Sequence, residues 1–115
     1  MSAVLPPAFE ERLKPIFGTN WSAFVSSLKE PAPTSIRINP YKKYPAEGNN
    51  VPWTEFGLYL SERPKFTLDP SFHAGAYYVQ EASSMFVEQA LKQTIDLTRK
   101  LNVLDVSAAP GGKST

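Results

Sequence analysis

The spacing of apolar positions changes along the chain, and each change predicts an element. Residues 6–17, PPAFEERLKPIF, predict a short helix with Phe9, Leu13, Ile16 and Phe17 near one face. Pro7 suits its first turn, and Pro15 is expected to end or kink it. Gly18-Thr19-Asn20 makes a break, with Asn20 as a candidate N-cap. Trp21, Phe24, Val25 and Leu28 then recur at i, i+3, i+4, i+7, an amphipathic helix that Pro31-Ala32-Pro33 stops. Residues 34–39, TSIRIN, alternate between prolines and predict a strand. A polar loop over 40–50 and the entry Val51-Pro52-Trp53 lead to a second strand, Phe56 to Leu60. Residues 61–75 carry Pro64, Pro70 and Gly75 and read as an irregular connection, long enough to be functional or well packed.

From Ala76 to about Thr94 the pattern is helical: Tyr78, Ala82, Phe86 and Ala90 are spaced by four, with Val79, Val87 and Leu91 close by. On that helix Gln80, Glu81, Glu88 and Lys92 are expected to face water or a ligand, while Tyr78, Met85 and Phe86 read as core. Residues 101–106, LNVLDV, read as a buried strand, followed by the small-residue run SAAPGGKST. A strand followed by a glycine-rich loop normally enters a helix whose N-terminus holds an anion or cofactor. That helix does not follow in these residues, so the chain reads as cut. The expected fold class is an α+β N-terminal unit, residues 1–72, followed by the incomplete start of an α/β domain, residues 73–115.

Composition narrows the function classes. With 42% apolar and 20% charged residues, the chain is ordinary for a folded domain, although 11 prolines imply many turns. A net charge of +1 excludes a polybasic tail but not local phosphate contacts. Lys42-Lys43 between Tyr41 and Tyr44 is the one basic pair near aromatics, and it reads first as a solvated loop. Arg37, on a strand, suits an RNA phosphate and a structural carboxylate equally. The absence of cysteine rules out disulfides and thiolate metal sites, and the single His73 builds no metal site alone. Residues 1–15 lack a signal-peptide core, and no apolar run approaches the roughly 20 residues of a membrane span. The expectation is a soluble, cytoplasmic monomer with no metal and no membrane partner.

The run LDVSAAPGGKST leaves three readings. A P-loop needs G-x-x-x-x-G-K-[ST]; Gly112-Lys113-Ser114 fits its end, but its first glycine falls on Ser107. A tight turn with a solvated lysine is the plainest. A cofactor loop of a methyltransferase using S-adenosyl-L-methionine (SAM) fits Asp105 at a strand end before two glycines.

That run resembles the first SAM motif of the Sun-domain (NSUN-type) RNA cytosine-C5 methyltransferases. The segment GAYYVQEASSM, residues 75–85, is similar to the family's G-x-[FY]-x-x-Q-[ED]-x-[SA]-S. PTSIRIN, residues 33–39, is similar to its short R-[IV]-N strand, and Val51-Pro52-Trp53 with Gly57-Leu58-Tyr59-Leu60 also fits. The similarity covers nearly the whole chain in order, and is greatest to the bacterial enzymes that methylate 16S ribosomal RNA. Several members carry cysteine where this chain has Ser107; others carry a small residue.

The resemblance implies a Rossmann-like fold for residues 73–115. It implies SAM as cofactor, ribosomal RNA or the small ribosomal subunit as partner, and an RNA-binding or positioning role for residues 1–72. Ser107, Ala108, Ala109, Pro110, Gly111, Gly112 and Lys113 would form one wall of the pocket. Pro110 would stiffen the turn, and Lys113 would lie near the cofactor's carboxylate. Asp105 would order the loop through its amides, and the segment of Gln80, Glu81 and Ser84 would pack beside the pocket. The family's two cysteines, nucleophile and release-promoting residue, are expected beyond Thr115, so these 115 residues alone are expected to be inactive. A non-enzymatic RNA-binding module and a P-loop nucleotide-binding fragment stand as the alternatives.

Overall fold

In the computed structural model the structure describes residues 5–45 and 47–115. They form two compact units, divided between Ala32 and Pro33. In the first, helix α1 (Pro7–Phe17) is followed by a 3-10 turn (Gly18–Asn20) and helix α2 (Trp21–Ser27). Of the two effects expected of Pro15, an end or a kink, it does not end α1 at once, since the helix runs two residues past it. It sits in the last turn, where one missing N–H removes a single hydrogen bond from a helix that is closing anyway. Asn20 stands at the cap position of α2, but its side chain makes no cap hydrogen bond. Neither helix buries a residue fully. The hairpin is held by aromatic contact: the rings of Phe17 and Phe24 stack at 4.0 Å, with Phe9 at 6.4 Å from Phe24.

The second unit is built on a four-stranded antiparallel sheet in the order β2-β3-β1-β4. Its strands are β1 (Thr34–Ile38), β2 (Asn49–Asn50), β3 (Gly57–Leu60) and β4 (Tyr77–Val79). Short helices α3 (Pro70–His73) and α4 (Val87–Thr94) complete it. The expected strands at 34–39 and 56–60 are present as β1 and β3. The connection 61–75 is packed rather than irregular, with a 3-10 turn at Phe66–Leu68 and α3, whose first turn Asp69 caps by accepting from the Ser71 amide at 2.8 Å.

Three expectations fail. The single helix over 76–94 is replaced by β4, a 3-10 turn at Ser84–Phe86 and α4. Tyr77, Tyr78 and Val79 are aromatic or β-branched, and pairing with β1 (Ile36 opposite Val79, Arg37 opposite Tyr78) outweighs the four-residue spacing. Phe86, expected in the core, is 58% exposed, whereas Met85 is buried as expected. The expected strand at 101–106 is not formed: Val103, Leu104 and Val106 are 84–86% exposed. A strand needs a hydrogen-bonded neighbour, and no strand of this sheet pairs with that run. β4 pairs with β1, so residues 77–79 share one sheet with residues 34–38.

Side chains alternate across the sheet, so its two faces differ in chemistry. One face carries Ile36, Leu58, Leu60, Tyr77 and Val79 and packs with Phe66, Phe72 and Tyr44 around the buried Ile36, Ala76 and Tyr77. The Tyr77 hydroxyl donates to Asp69 at 2.7 Å. Burial first, and then that carboxylate, push the phenol's pKa up. A second cluster joins Val51, Ala82 and Met85 under Trp53 and Tyr59. The indole of Trp53 donates to the Ala82 carbonyl at 2.7 Å, which locks this cluster to the segment after β4. The opposite face of β1 and β4 presents Arg37, Tyr78 and, one step beyond the strand, Gln80.

Candidate functional site

The polar face carries the site. Ser35 accepts the Gln80 amide on its carbonyl at 3.3 Å and donates its hydroxyl to the Gln80 carbonyl at 2.6 Å. These bonds prolong the β1–β4 ladder by one residue, which keeps Gln80 in strand alternation with Tyr78 and buries it to 5% exposure. Both side chains reach the glycine-rich run. The Tyr78 hydroxyl donates to the Pro110 carbonyl at 3.1 Å, and the Gln80 Nε2 donates to the Gly112 carbonyl. Gln80 Oε1 is buried with no hydrogen-bond partner. Glu81 is exposed and Ser84 half-buried at the next turn, so Gln80, Glu81 and Ser84 do not lie on one helix.

The run itself is a surface loop ordered from within. Asp105 accepts from the Ser107 amide at 2.8 Å and from the Ser114 hydroxyl. Those two donors hold its carboxyl below the usual carboxylate range, against a smaller desolvation effect and with help from Lys113. Thr115 closes back on the Gly111 carbonyl through its amide at 3.2 Å and its hydroxyl at 2.5 Å. Ser107, Ala108, Ala109, Pro110 and Lys113 are exposed, and Gly111 and Gly112 are half-buried. Gly111 has φ +99°, a conformation that side chains rarely adopt. An added Cβ at Gly112 would meet nothing within 4 Å, so a ligand has room to approach the backbone there.

Beside the loop stands a part-buried ionic network. The Arg37 Nη1 donates to Glu88 Oε2 at 2.8 Å and to Thr54 Oγ1 at 2.9 Å, and Lys92 donates to Glu88 Oε1 at 2.7 Å. Burial alone would raise the Glu88 pKa. The hydrogen bonds from Lys92, Thr54 and Arg37 outweigh it and hold the carboxyl at about 2. Arg37 thus has a structural carboxylate as its partner. Arg37, Gln80, Glu88, Lys113 and Thr115 line a cavity of about 180 Å³.

Other candidates lie elsewhere. His73 is exposed in α3, its ring 2.9 Å from the Thr67 carbonyl oxygen and edge-on to Phe72. Lys42 donates to the Ala74 carbonyl at the end of α3. Among the described residues no cluster of His, Cys, Asp and Glu could hold a metal, and no helix is long and apolar enough to cross a membrane. The reach of Tyr78 to the loop was missed in the sequence. Its signal is the two-residue step from 78 to 80, which the four-residue spacing obscured.

A family model described as the N-terminal domain of 16S rRNA methyltransferase RsmF matches residues 5–82. Ribosomal RNA small subunit methyltransferase F of Erwinia tasmaniensis is 32% identical over 127 aligned positions, covering 96% of this chain and 26% of its own length. The protein of that name from Serratia proteamaculans is 31% identical, with the same coverage. That of Aliivibrio fischeri is 31% identical, covering 96% of this chain and 27% of its own length. The chain therefore spans about a quarter of the length of these curated relatives.

Proposed function

The chain belongs to the family of N-terminal domains of 16S rRNA methyltransferase RsmF, and from that membership we propose that the protein carrying it methylates C5 of a cytosine in small-subunit ribosomal RNA, with SAM as donor. The observation that carries this reading is the loop Ser107–Lys113 seated on the polar face of the sheet. Its glycines leave the backbone open, and the buried Gln80 Oε1 beside it has no partner. A polar ligand that brings a donor to that oxygen fits the residues present.

In this reading Ser107, Ala108, Ala109, Pro110, Gly111, Gly112 and Lys113 form one wall of the cofactor pocket. Bound SAM supplies an electrophilic methyl group. Gly111 and Gly112 would admit it to the backbone, and the Lys113 ammonium would offset the charge of its carboxylate. The network of Arg37, Thr54 and Glu88 braces the strand and helix beside that wall. Methyl transfer to C5 requires a nucleophile at C6, classically a thiolate. This chain has no cysteine, so its residues serve cofactor and architecture, and the nucleophile comes from elsewhere in the protein. Residues 1–72 serve RNA binding or positioning, and residues 73–115 enter a Rossmann-like domain. The exposed Val103, Leu104 and Val106 support the latter, since a central strand would bury such side chains. A monomer in the cytoplasm is the matching expectation.

The test is transfer of tritium from methyl-labelled SAM to unmodified small-subunit rRNA, free and in assembled subunits, by the full protein. Label recovered as 5-methylcytidine is the expected result. RNA binding without transfer to either substrate would overturn the methyltransferase reading in favour of an RNA-binding module. Magnesium-dependent ATP binding would favour the nucleotide-binding alternative.

A further inference from the structure

We propose that Tyr78 and Gln80 are positioning residues that hold the carbonyls of Pro110 and Gly112 against the sheet and so turn the amides of Gly111 and Lys113 outward as a paired donor site for the cofactor's carboxylate or ribose hydroxyls. The inference rests on the cofactor reading above and adds the residues that aim the loop.

Positions 78 and 80 lie on one face because alternation continues past β4 through the Ser35–Gln80 bonds. Their side chains contact carbonyls two residues apart in the loop. In a trans peptide the C=O of one residue and the N–H of the next point in opposite directions. Gripping the Pro110 carbonyl therefore sends the Gly111 N–H away from Tyr78, and gripping the Gly112 carbonyl sends the Lys113 N–H away from Gln80. Among the described residues neither amide donates a hydrogen bond. Unpaired amides two residues apart that face one side of a turn offer a pair of donors to an anion or hydroxyl. Gly111, at φ +99°, lets the backbone turn between the two grips.

The grip of Gln80 also fixes the orientation of its own amide. A carbonyl facing its amide requires the nitrogen on that side, which leaves Oε1 buried and unpartnered. Two outward amides and the Lys113 ammonium lie on one short loop, while the buried Gln80 oxygen lies on the side of the grips. Donors of that kind match an anionic group or the hydroxyls of a ribose.

The experiment titrates S-adenosylhomocysteine into the full protein by calorimetry, for wild type, Tyr78→Phe and Gln80→Met. Exchange of the Gly111 and Lys113 amides is followed in parallel. Tyr78→Phe removes one hydroxyl from a half-buried side chain and is expected to keep the thermal midpoint while weakening binding about three- to tenfold. Gln80→Met preserves volume, loses donor and acceptor, and is expected to weaken binding more. In wild type the ligand should slow exchange at both amides, and in the variants this protection should shrink. Wild-type affinity and protection in Tyr78→Phe would overturn the positioning role while leaving the cofactor reading intact. No binding by wild type would remove the cofactor reading and the inference with it.

Discussion

Gly57 illustrates how closely single positions are constrained. A Cβ there would fall 2.4 Å from Thr54 Cγ2, 2.6 Å from Met85 Sδ and 3.0 Å from Val51 Cβ. Two of those neighbours belong to the buried cluster under Trp53, so they cannot yield cheaply. Gly57→Ala is predicted to destabilise the fold by about 2 kcal/mol, read as a lower urea midpoint. Ile36, 1% exposed, sits under Leu58 on one side and Val79 on the other. Ile36→Ala should cost about 3 kcal/mol in the same assay, because the cavity lies between two paired strands and cannot collapse. Both positions were partly legible in the sequence. Ile36 is plain from the alternation of β1, whereas nothing local to Gly57 announces Met85, 28 positions further on.

At the scale of elements, the Arg37–Thr54–Glu88 network ties β1 and the turn before β3 to α4. Glu88 is depressed in the folded state to about 2, so its contribution is fully present above its unfolded pKa. That contribution is lost as pH falls through the folded value. Stability should therefore decline between about pH 5 and pH 2, and Glu88→Gln should flatten that part of the profile while costing about 2 kcal/mol at pH 7. An unchanged acid limb in the variant would show that Glu88 does not carry the effect. The elements themselves were unevenly legible. α1, α2, β1 and β3 follow from local spacing. β4 did not, because three residues are too short to display a period of two, and the run 78, 82, 86, 90 mimicked a helix face. β2, two residues long, owes its existence to pairing with β3 rather than to any pattern of its own.

For the whole molecule, the sequence motif and the fold meet at one place. The glycine-rich loop was recognisable from residues 105–115 alone, but what holds it was not. Tyr78 and Gln80 act from a strand whose register only tertiary pairing creates. The apolar run 101–106 reads as a strand by composition yet stands unpaired, since strand structure belongs to the sheet and not to the segment. The central claim is that Ser107–Lys113 holds the cofactor. Ultraviolet crosslinking of methyl-labelled SAM to the full protein, followed by peptide mapping, tests it most directly. The account predicts label in the peptide spanning residues 107–113, competed away by S-adenosylhomocysteine; competed label found only outside that peptide would contradict it.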